Sequence, residues 1–348
     1  MAMFGCSDDD PPSGNETSTG ETGDGDGDGD PTGDGDPTGD GDPTGDGDPT
    51  GDGDGDGDPT GDGDGDGDPT GDGDPTGDGD PSGDGDGDLE GAAYDQPGPY
   101  SVQVSQGQMQ VNQQCNLAYA VYEPDTLASD VEVLLAHGFM RSIDDMAETA
   151  EHIASWGVKV YAVPLCTNSF AINHELNGQA IALLGEALAP GGAVYSGFSA
   201  GGLAAFVAAV NAGNAVYYVG LDAVDNAELG LGFADQIDVP ARGSIAEPGQ
   251  CNTNNNFLPV YDMIPNAPVM RIVDAEHFDF ESDSCGLGDF ACGLCAPAGP
   301  ETRALALGMS TAAILIATGA DPGGYSWWQP GGTYFDMYAQ QGKIMLIP

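Results

Sequence analysis

Positive charge is scarce in this sequence. Its 348 residues include six Lys and Arg against 58 Asp and Glu, which gives a formal net charge of -52 at pH 7. Proteins that bind nucleic acid hold the phosphates with Lys and Arg, so this composition argues against nucleic acid as a partner. Such an excess of acid instead suits a protein that stays soluble in salty surroundings.

Long apolar runs are absent as well. No stretch of 18 or more apolar residues occurs, so the sequence offers no candidate for a transmembrane helix. The first residues, "MAMFGC", are similar to the end of a bacterial lipoprotein signal, where a small residue precedes a lipid-modified cysteine. Only five residues precede Cys6, and we therefore expect the true start to lie upstream. We predict an exported protein, either lipid-anchored at Cys6 on the cell surface or outer membrane, or secreted.

Residues 1–95 form a separate segment, which from Ser7 to about Glu90 contains almost no apolar side chains. The repeat "GDGDGDGDPT" and its variants place 31 of the 58 acidic residues before Gly91, with no Lys or Arg. This composition cannot bury enough apolar surface to offset the entropy of ordering the chain, so we predict a disordered, self-repelling tether. The Asp-x-Asp spacing occurs in calcium loops, but the bidentate Glu and fixed turn of such loops are missing. Weak, diffuse binding of divalent cations is the alternative role.

Residues 96–348 alternate between strand and helix patterns. Near-continuous apolar runs such as "VEVLLAHGF" are typical of strands covered on both faces, and "SIDDMAETAEHIASWG" has the cap and closing glycine of a helix. We predict one α/β domain with a mostly parallel sheet and helices on both faces, opened by an antiparallel pair. A long apolar helix over 301–319 follows, and the aromatic segment 325–339 is expected to pack against the core rather than line a binding surface.

Six of the seven cysteines lie in the globular part. An even number favours up to three disulfides in an oxidising compartment, with a pairing that the sequence does not reveal. One of them is expected to staple the loop after residue 277. A zinc site is the alternative, because Cys285, Cys292 and Cys295 include a Cys-x-x-Cys pair. No second close pair completes a four-ligand set, so we predict disulfides and no metal.

The stretch "AVYSGFSAGGLAAF" places a serine between two glycines where a strand becomes a helix. In a Gly-x-Ser-x-Gly turn the serine adopts a strained backbone conformation that exposes its Oγ, and only glycines fit on either side. Gly197 and Gly201 meet this requirement, with a third glycine at 202. We predict that Ser199 is a nucleophile.

A nucleophilic serine needs a base and an acid, which usually lie at the carboxyl ends of other strands. Of four histidines, only His277 follows a strand pattern downstream of Ser199, and we assign it as the base. Asp222, at the end of "AVYYVGL", is our choice for the acid. Asp225 and Glu247 remain alternatives.

Stabilisation of an oxyanion requires two backbone N–H groups that point at one place. We expect Ala200, directly after the nucleophile, to supply one. Phe139, which follows His137 and Gly138 at the end of "VEVLLA", is expected to supply the other, with Met140 as its neighbouring alternative.

The segments "LLAHGF", "HIASWGVKVYAVPLCTNS", "NGQAIALLGEAL" and "YSGFSAGG" together resemble the α/β-hydrolase superfamily, within it the branch of chlorophyllases and cutinase-like polyesterases such as PET hydrolases. The similarity extends over about residues 100–318. It implies an α/β-hydrolase fold and hydrolysis of carboxylic esters through an acyl-enzyme, without a cofactor. "GLDAVD" is similar to the chlorophyllase segment that carries the acid, whereas polyesterases carry theirs one strand later, near Glu247.

Two positions depart from this pattern: Phe198 stands where histidine is usual, and Ala200 where methionine or arginine is common. The sequence therefore does not predict which ester is the substrate, and both small molecules and polymers are candidates. We expect the protein to act as a monomer. Two other functions are considered, a catalytically silent hydrolase-like protein that binds at the cell surface, and a calcium-dependent surface protein whose acidic tail is the functional part.

Overall fold

The computed structural model describes residues 91–281 and 295–348. Residues 1–90 of the predicted tether, with Cys6, lie outside these residues, as do Cys285 and Cys292.

The strands of the domain form one sheet. In chain order they are β1 (Val102–Gln110), β2 (Asn116–Pro124), β3 (Glu132–Ala136), β4 (Val160–Val163), β5 (Ala193–Phe198), β6 (Ala215–Leu221), β7 (Ala241–Ile245), β8 (Val269–Ile272) and β9 (Ile344–Ile347). Their spatial order is β1-β2-β4-β3-β5-β6-β7-β8-β9. The strands from β3 to β8 are parallel, β1 and β2 open the sheet as an antiparallel pair, and β9 closes it antiparallel to β8.

Helices cover both faces of this sheet. In chain order they are α1 (Ala147–Ala154), α2 (His174–Leu188), α3 (Ala200–Asn211), α4 (Leu229–Phe233), α5 (Leu258–Met263), α6 (Pro300–Thr318), α7 (Tyr325–Trp328) and α8 (Thr333–Gln340). A nine-stranded, mostly parallel sheet with helices in this arrangement is compatible with an α/β-hydrolase-like fold. The predicted α/β class and the antiparallel opening are confirmed.

The core consists of two apolar layers, one on each face of the sheet. In β3, Val133 and Leu135 pack into the layer beneath α1 and α6, whereas Leu134 and Ala136 pack into the layer beneath α2 and α3. This alternation explains why β3 is apolar from Val133 to Ala136, since neither face of this part of the strand meets water.

Local sequence signals set the ends of several helices. Asn173 caps α2 by accepting the N–H of Leu176 at 3.0 Å, as residues of its type do at helix starts. The predicted helix over 142–157 is divided, because Ser142 and Asp145 form a capping box around a short 3-10 turn before α1 begins. Gly319, with φ of +70°, ends α6 in the left-handed conformation that glycine favours.

The C-terminal residues contribute aromatic packing to the core and an edge strand to the sheet. Trp327 and Trp328 in α7 are fully buried, in agreement with the predicted packing of the aromatic segment. The edge strand β9 was not predicted, because its four residues are too few to show a period.

Residues shortly before β1 also pack into the core. Tyr94 is fully buried against Trp156 and Trp327, and its hydroxyl donates to Asp321 at 2.6 Å. Burial and the neighbouring carboxylate raise the pKa of the Tyr94 phenol, which keeps this donor protonated. Packing into the domain therefore begins before residue 95.

Candidate active site

Ser199 lies between β5 and α3, in the turn that the glycine pattern predicted. Its φ of 55° and ψ of -122° fall in a region that residues with a side chain rarely occupy. A Cβ at Gly197 would collide with the carbonyl oxygen of Gly201, and a Cβ at Gly201 would collide with that of His137. Backbone therefore packs directly on backbone around the serine, which fixes the direction of its side chain.

Three side chains that are distant in sequence meet at the carboxyl ends of β5, β6 and β8. The Oγ of Ser199 lies 2.9 Å from Nε2 of His277, and Nδ1 of His277 lies 2.6 Å from Oδ2 of Asp222. A carboxylate oxygen accepts, so Nδ1 carries the proton and Nε2 is left to accept the Ser199 hydroxyl. This chain of hydrogen bonds has the polarity that a serine nucleophile requires.

Asp222 is fully buried and has several donors besides His277. Its Oδ1 accepts the backbone N–H of Ala246 at 3.1 Å, and Asn252 Nδ2 donates to both carboxylate oxygens at 3.3 and 3.1 Å. Asn252 itself accepts the N–H of Gly249 at 2.8 Å. The buried carboxylate is thereby compensated by hydrogen bonds, as a buried charge must be.

The other two candidate acids occupy different places. The carboxylate of Asp225 accepts backbone N–H groups of Asn226, Gly230 and Leu231 around the start of α4. Glu247 lies 3.9 Å from Arg271, and 40% of its side chain is exposed. The acid in contact with His277 is Asp222.

The turn Gly138–Arg141 follows β3 and contains Phe139, the predicted oxyanion donor. We call it the oxyanion turn. The N–H of Arg141 donates to the carbonyl of Gly138 at 3.2 Å, and Met140 has φ of 57°. The N–H of Met140 donates to Oδ1 of Asn168 at 2.6 Å, which commits that amide and favours Phe139 over Met140 as the donor. Ala200 begins α3, where backbone N–H groups have no partner within the helix.

His137, directly before this turn, is a buried neutral imidazole. Its Nδ1 lies 2.8 Å from the carbonyl of Gly138, and Leu165 N–H donates to Nε2 at 3.3 Å. A carbonyl only accepts and an amide N–H only donates, so the proton sits on Nδ1. Burial lowers the pKa of His137, which agrees with the neutral form. His137 thus contacts the oxyanion turn and takes no part in the chain of hydrogen bonds from Ser199.

Arg141 joins the oxyanion turn to the segment that carries His277. Its guanidinium contacts Glu281 at 2.8 Å and Asp145 at 3.0 Å, and it lies 5.0 Å from the centre of the Phe278 ring. The ring of Phe198 packs at 4.6 Å from the imidazole of His277. Position 198, where the hydrolases that the sequence resembles have histidine, therefore places an apolar ring against His277.

Exposed apolar side chains lie in the turn after β3 and in the loop between β4 and α2. Phe139 is 37% exposed, Met140 56% and Phe170 90%, and the rings of Phe139 and Phe170 meet edge to face at 6.1 Å. We call these three residues the apolar rim. Exposed apolar groups that adjoin one another commonly mark a binding surface.

Within the described part of the chain, disulfides join Cys115 to Cys166 and Cys251 to Cys295. They indicate an extracytoplasmic environment, and because Cys295 is bonded to Cys251 it is not available to the alternative zinc site. Within residues 91–281 and 295–348, no helix is long and apolar enough to cross a membrane, and no cluster of His, Cys, Asp or Glu has the arrangement of a metal site.

Comparison with protein-family models finds no family that matches this chain. Comparison with curated proteins finds no similar sequence. The fold and the geometry of the site are therefore the basis on which a function can be assigned.

Two residues of the site escaped the sequence analysis. Asn252 lies in the run "CNTNNN", where asparagines are expected simply as turn formers, and no local signal distinguishes the one that reaches Asp222. Asn168 lies in "CTNSF", between a strand and a helix, and its contact with Met140 spans 28 residues. Both contacts depend on tertiary structure rather than on spacing.

Proposed function

We propose that the protein is a serine hydrolase that cleaves carboxylic esters through an acyl-enzyme. The observation that carries the proposal is the uninterrupted series Ser199 Oγ, His277 Nε2, His277 Nδ1, Asp222 Oδ2, at 2.9 and 2.6 Å. It occurs at a strained strand-to-helix turn, where such a nucleophile is expected.

In the first step His277 takes the Ser199 proton on Nε2 while Oγ attacks the carbonyl carbon of the ester. Asp222 holds the imidazole in the required tautomer and stabilises the imidazolium that forms. The negative charge on the carbonyl oxygen is received by the N–H groups of Ala200 and Phe139, and each such donor contributes about 100-fold or more to the rate of this type of reaction.

In the second step His277 returns the proton to the leaving alcohol, and the carbonyl re-forms as an ester of Ser199. A water molecule then gives a proton to His277 and attacks the acyl carbon. Collapse of the second intermediate releases the carboxylic acid and restores the serine hydroxyl.

The apolar rim supports an apolar ester as the substrate. A chain or ring that covers Phe139, Met140 and Phe170 would remove their apolar surface from water, which gains about 25 cal/mol per Å². Rates on p-nitrophenyl esters should therefore rise from acetate to longer acyl chains. A polyester film and a pigment ester test polymeric and large planar substrates.

A fluorophosphonate probe tests the assignment of the nucleophile directly. We expect it to label the wild type and to leave Ser199→Ala unlabelled. Ser196→Ala is the matched control. Ser196 is buried in β5, the strand that leads to Ser199, and its Oγ has no hydrogen-bond partner among the described residues. An unlabelled wild type, or equal labelling of Ser199→Ala, would favour the catalytically silent binding protein.

A further inference from the structure

The loop between β4 and α2 contacts the oxyanion turn through the ring of Phe170, which meets Phe139, and through the side-chain amide of Asn168. Its Oδ1 accepts the N–H of Met140 at 2.6 Å, and its Nδ2 donates to the carbonyl of Arg141 at 2.6 Å. The oxygen and the nitrogen of this one amide group therefore bind the backbone before Met140 and after Arg141.

The backbone held in this way is one that Met140 does not favour. A φ of 57° is uncommon for a residue with a side chain, and the third position of a turn that needs positive φ is usually glycine or asparagine. Methionine offers no local hydrogen bond to stabilise this conformation. The support has to come from elsewhere in the chain, and Asn168 provides two hydrogen bonds for it.

The orientation of the turn matters because Phe139 belongs to it. Rotation of the peptide groups around Met140 towards a more common turn would displace the neighbouring N–H of Phe139. A donor to an oxyanion acts only when it lies about 3 Å from the position that the oxygen will occupy.

Asn168 is itself attached to a well-fixed segment. Cys166, two residues before it, is bonded to Cys115 next to β2. The N–H of Thr167 donates to Asn177 Oδ1 at 2.7 Å, and Asn177 Nδ2 donates back to the Thr167 carbonyl at 2.9 Å. The amide group of Asn168 therefore extends from an anchored backbone.

We propose that Asn168 is the positioning residue of the oxyanion turn, which it holds in the conformation that presents the Phe139 N–H to the substrate. This inference rests on the proposed hydrolase function. It predicts that Asn168 affects the transition state and leaves the binding of the ester in the ground state nearly unchanged.

The experiment compares Asn168→Ala, Asn168→Asp and the control Asn173→Ala on a p-nitrophenyl ester, with fluorophosphonate labelling of each protein. We expect kcat to fall about 10- to 100-fold in Asn168→Ala with KM within about two-fold, since one of two oxyanion donors is misplaced. Asn168→Asp keeps the acceptor for Met140 but sets a carboxylate oxygen against the Arg141 carbonyl, and two acceptors repel, so kcat should fall in this variant as well. Asn173 lies in the same loop and caps α2, so its removal should lower the melting temperature and leave kcat unchanged.

The outcomes separate the two proposals. Wild-type kcat in both Asn168 variants, in a wild type that is labelled and turns over ester, would overturn the positioning role alone. A loss that appears in KM rather than kcat, or that Asn173→Ala matches, would also overturn it. Absence of both labelling and turnover in the wild type would overturn the proposed function and this inference with it.

Discussion

The nucleophile half of the site, Ser199 with its flanking glycines, is held by backbone packed on backbone, whereas the acid half, Asp222 with His277, is held by side-chain hydrogen bonds. Around Ser199 no Cβ can be added at Gly197 or Gly201 without a collision. Around Asp222 the contacts come from Ala246 and from Asn252, a loop residue 30 positions later.

This difference implies that the two halves should fail in different ways. Packing of backbone on backbone contributes to the stability of the whole fold, so a side chain added at Gly197 or Gly201 should destabilise the protein. Hydrogen bonds to a carboxylate orient one side chain, so damage to the acid half should reduce activity while the fold persists.

The largest effect is expected at the acid. Asp222→Asn should lower kcat by about 10,000-fold, because an amide in this place favours the wrong tautomer of the base. Glu247→Gln and Asp225→Asn are the controls, and both should retain kcat, although Asp225→Asn should lower the melting temperature through its contacts at α4. If Glu247→Gln matches the loss and Asp222→Asn does not, the acid has been assigned to the wrong strand.

The next effect tests the backbone packing of the nucleophile half. Gly201→Ala should lower the free energy of unfolding by about 3 kcal/mol, because its Cβ meets backbone that cannot move aside as a flexible side chain does. Gly232→Ala in α4, where a Cβ meets nothing within 4 Å, should change stability by no more than about 1 kcal/mol. Denaturant titration measures both, and equal values would contradict the account of the turn.

A smaller effect is expected for the support of the acid. Asn252→Ala removes a hydrogen bond to a charged group, worth about 1.5–3 kcal/mol, and should lower kcat about 10- to 100-fold. Asn256→Ala is the matched control from the same loop, since its amide contacts the backbone of Asp225 instead. Similar kcat in the two variants would show that Asp222 does not need this partner.

The smallest effect is expected at His152, which lies outside both halves of the site. His152 in α1 donates to the carbonyl of Tyr94 at 2.7 Å, and burial lowers its pKa. The unfolded chain then binds more protons than the folded one as pH falls through about 6.5, so this contribution to stability is present above that pH and is lost below it. His152→Gln should flatten the dependence of unfolding free energy on pH between 7 and 5, with no change in kcat at pH 8. An unaltered pH dependence would contradict the burial effect.

The nucleophile half of the site could be predicted from the sequence more fully than the acid half. The turn at Ser199 depends on glycines within two residues of it, so a local pattern was sufficient to predict it. The choice among Asp222, Asp225 and Glu247 stayed open, because each follows a strand and only the three-dimensional arrangement brings one of them to His277. Asn168 and Asn252 act across 28 and 30 residues, and no spacing rule describes such contacts.

The fold shows a similar division. The alternation of apolar runs predicted a mostly parallel sheet with helices on both faces, since burial on two faces leaves a clear mark on composition. The edge strand β9, the pairing of the cysteines and the burial of Tyr94 depend on partners far along the chain. None of them could be predicted from local sequence.

The placement of Tyr94 has a mechanical consequence. A pull on the polypeptide from the acidic side is first resisted at Ala92, whose carbonyl accepts from Trp327 Nε1 at 2.9 Å, and at the Tyr94 ring with its hydrogen bond to Asp321. The N–H groups of Gly98 and Tyr100, which donate to Ser155 at 2.8 and 3.0 Å, come next. These contacts lie ahead of β1 in the chain, so the load is taken up before it reaches any strand of the sheet. Tension on the acidic segment would therefore act on these contacts at the edge of the domain. The arrangement of Ser199, His277 and Asp222 would not be disturbed.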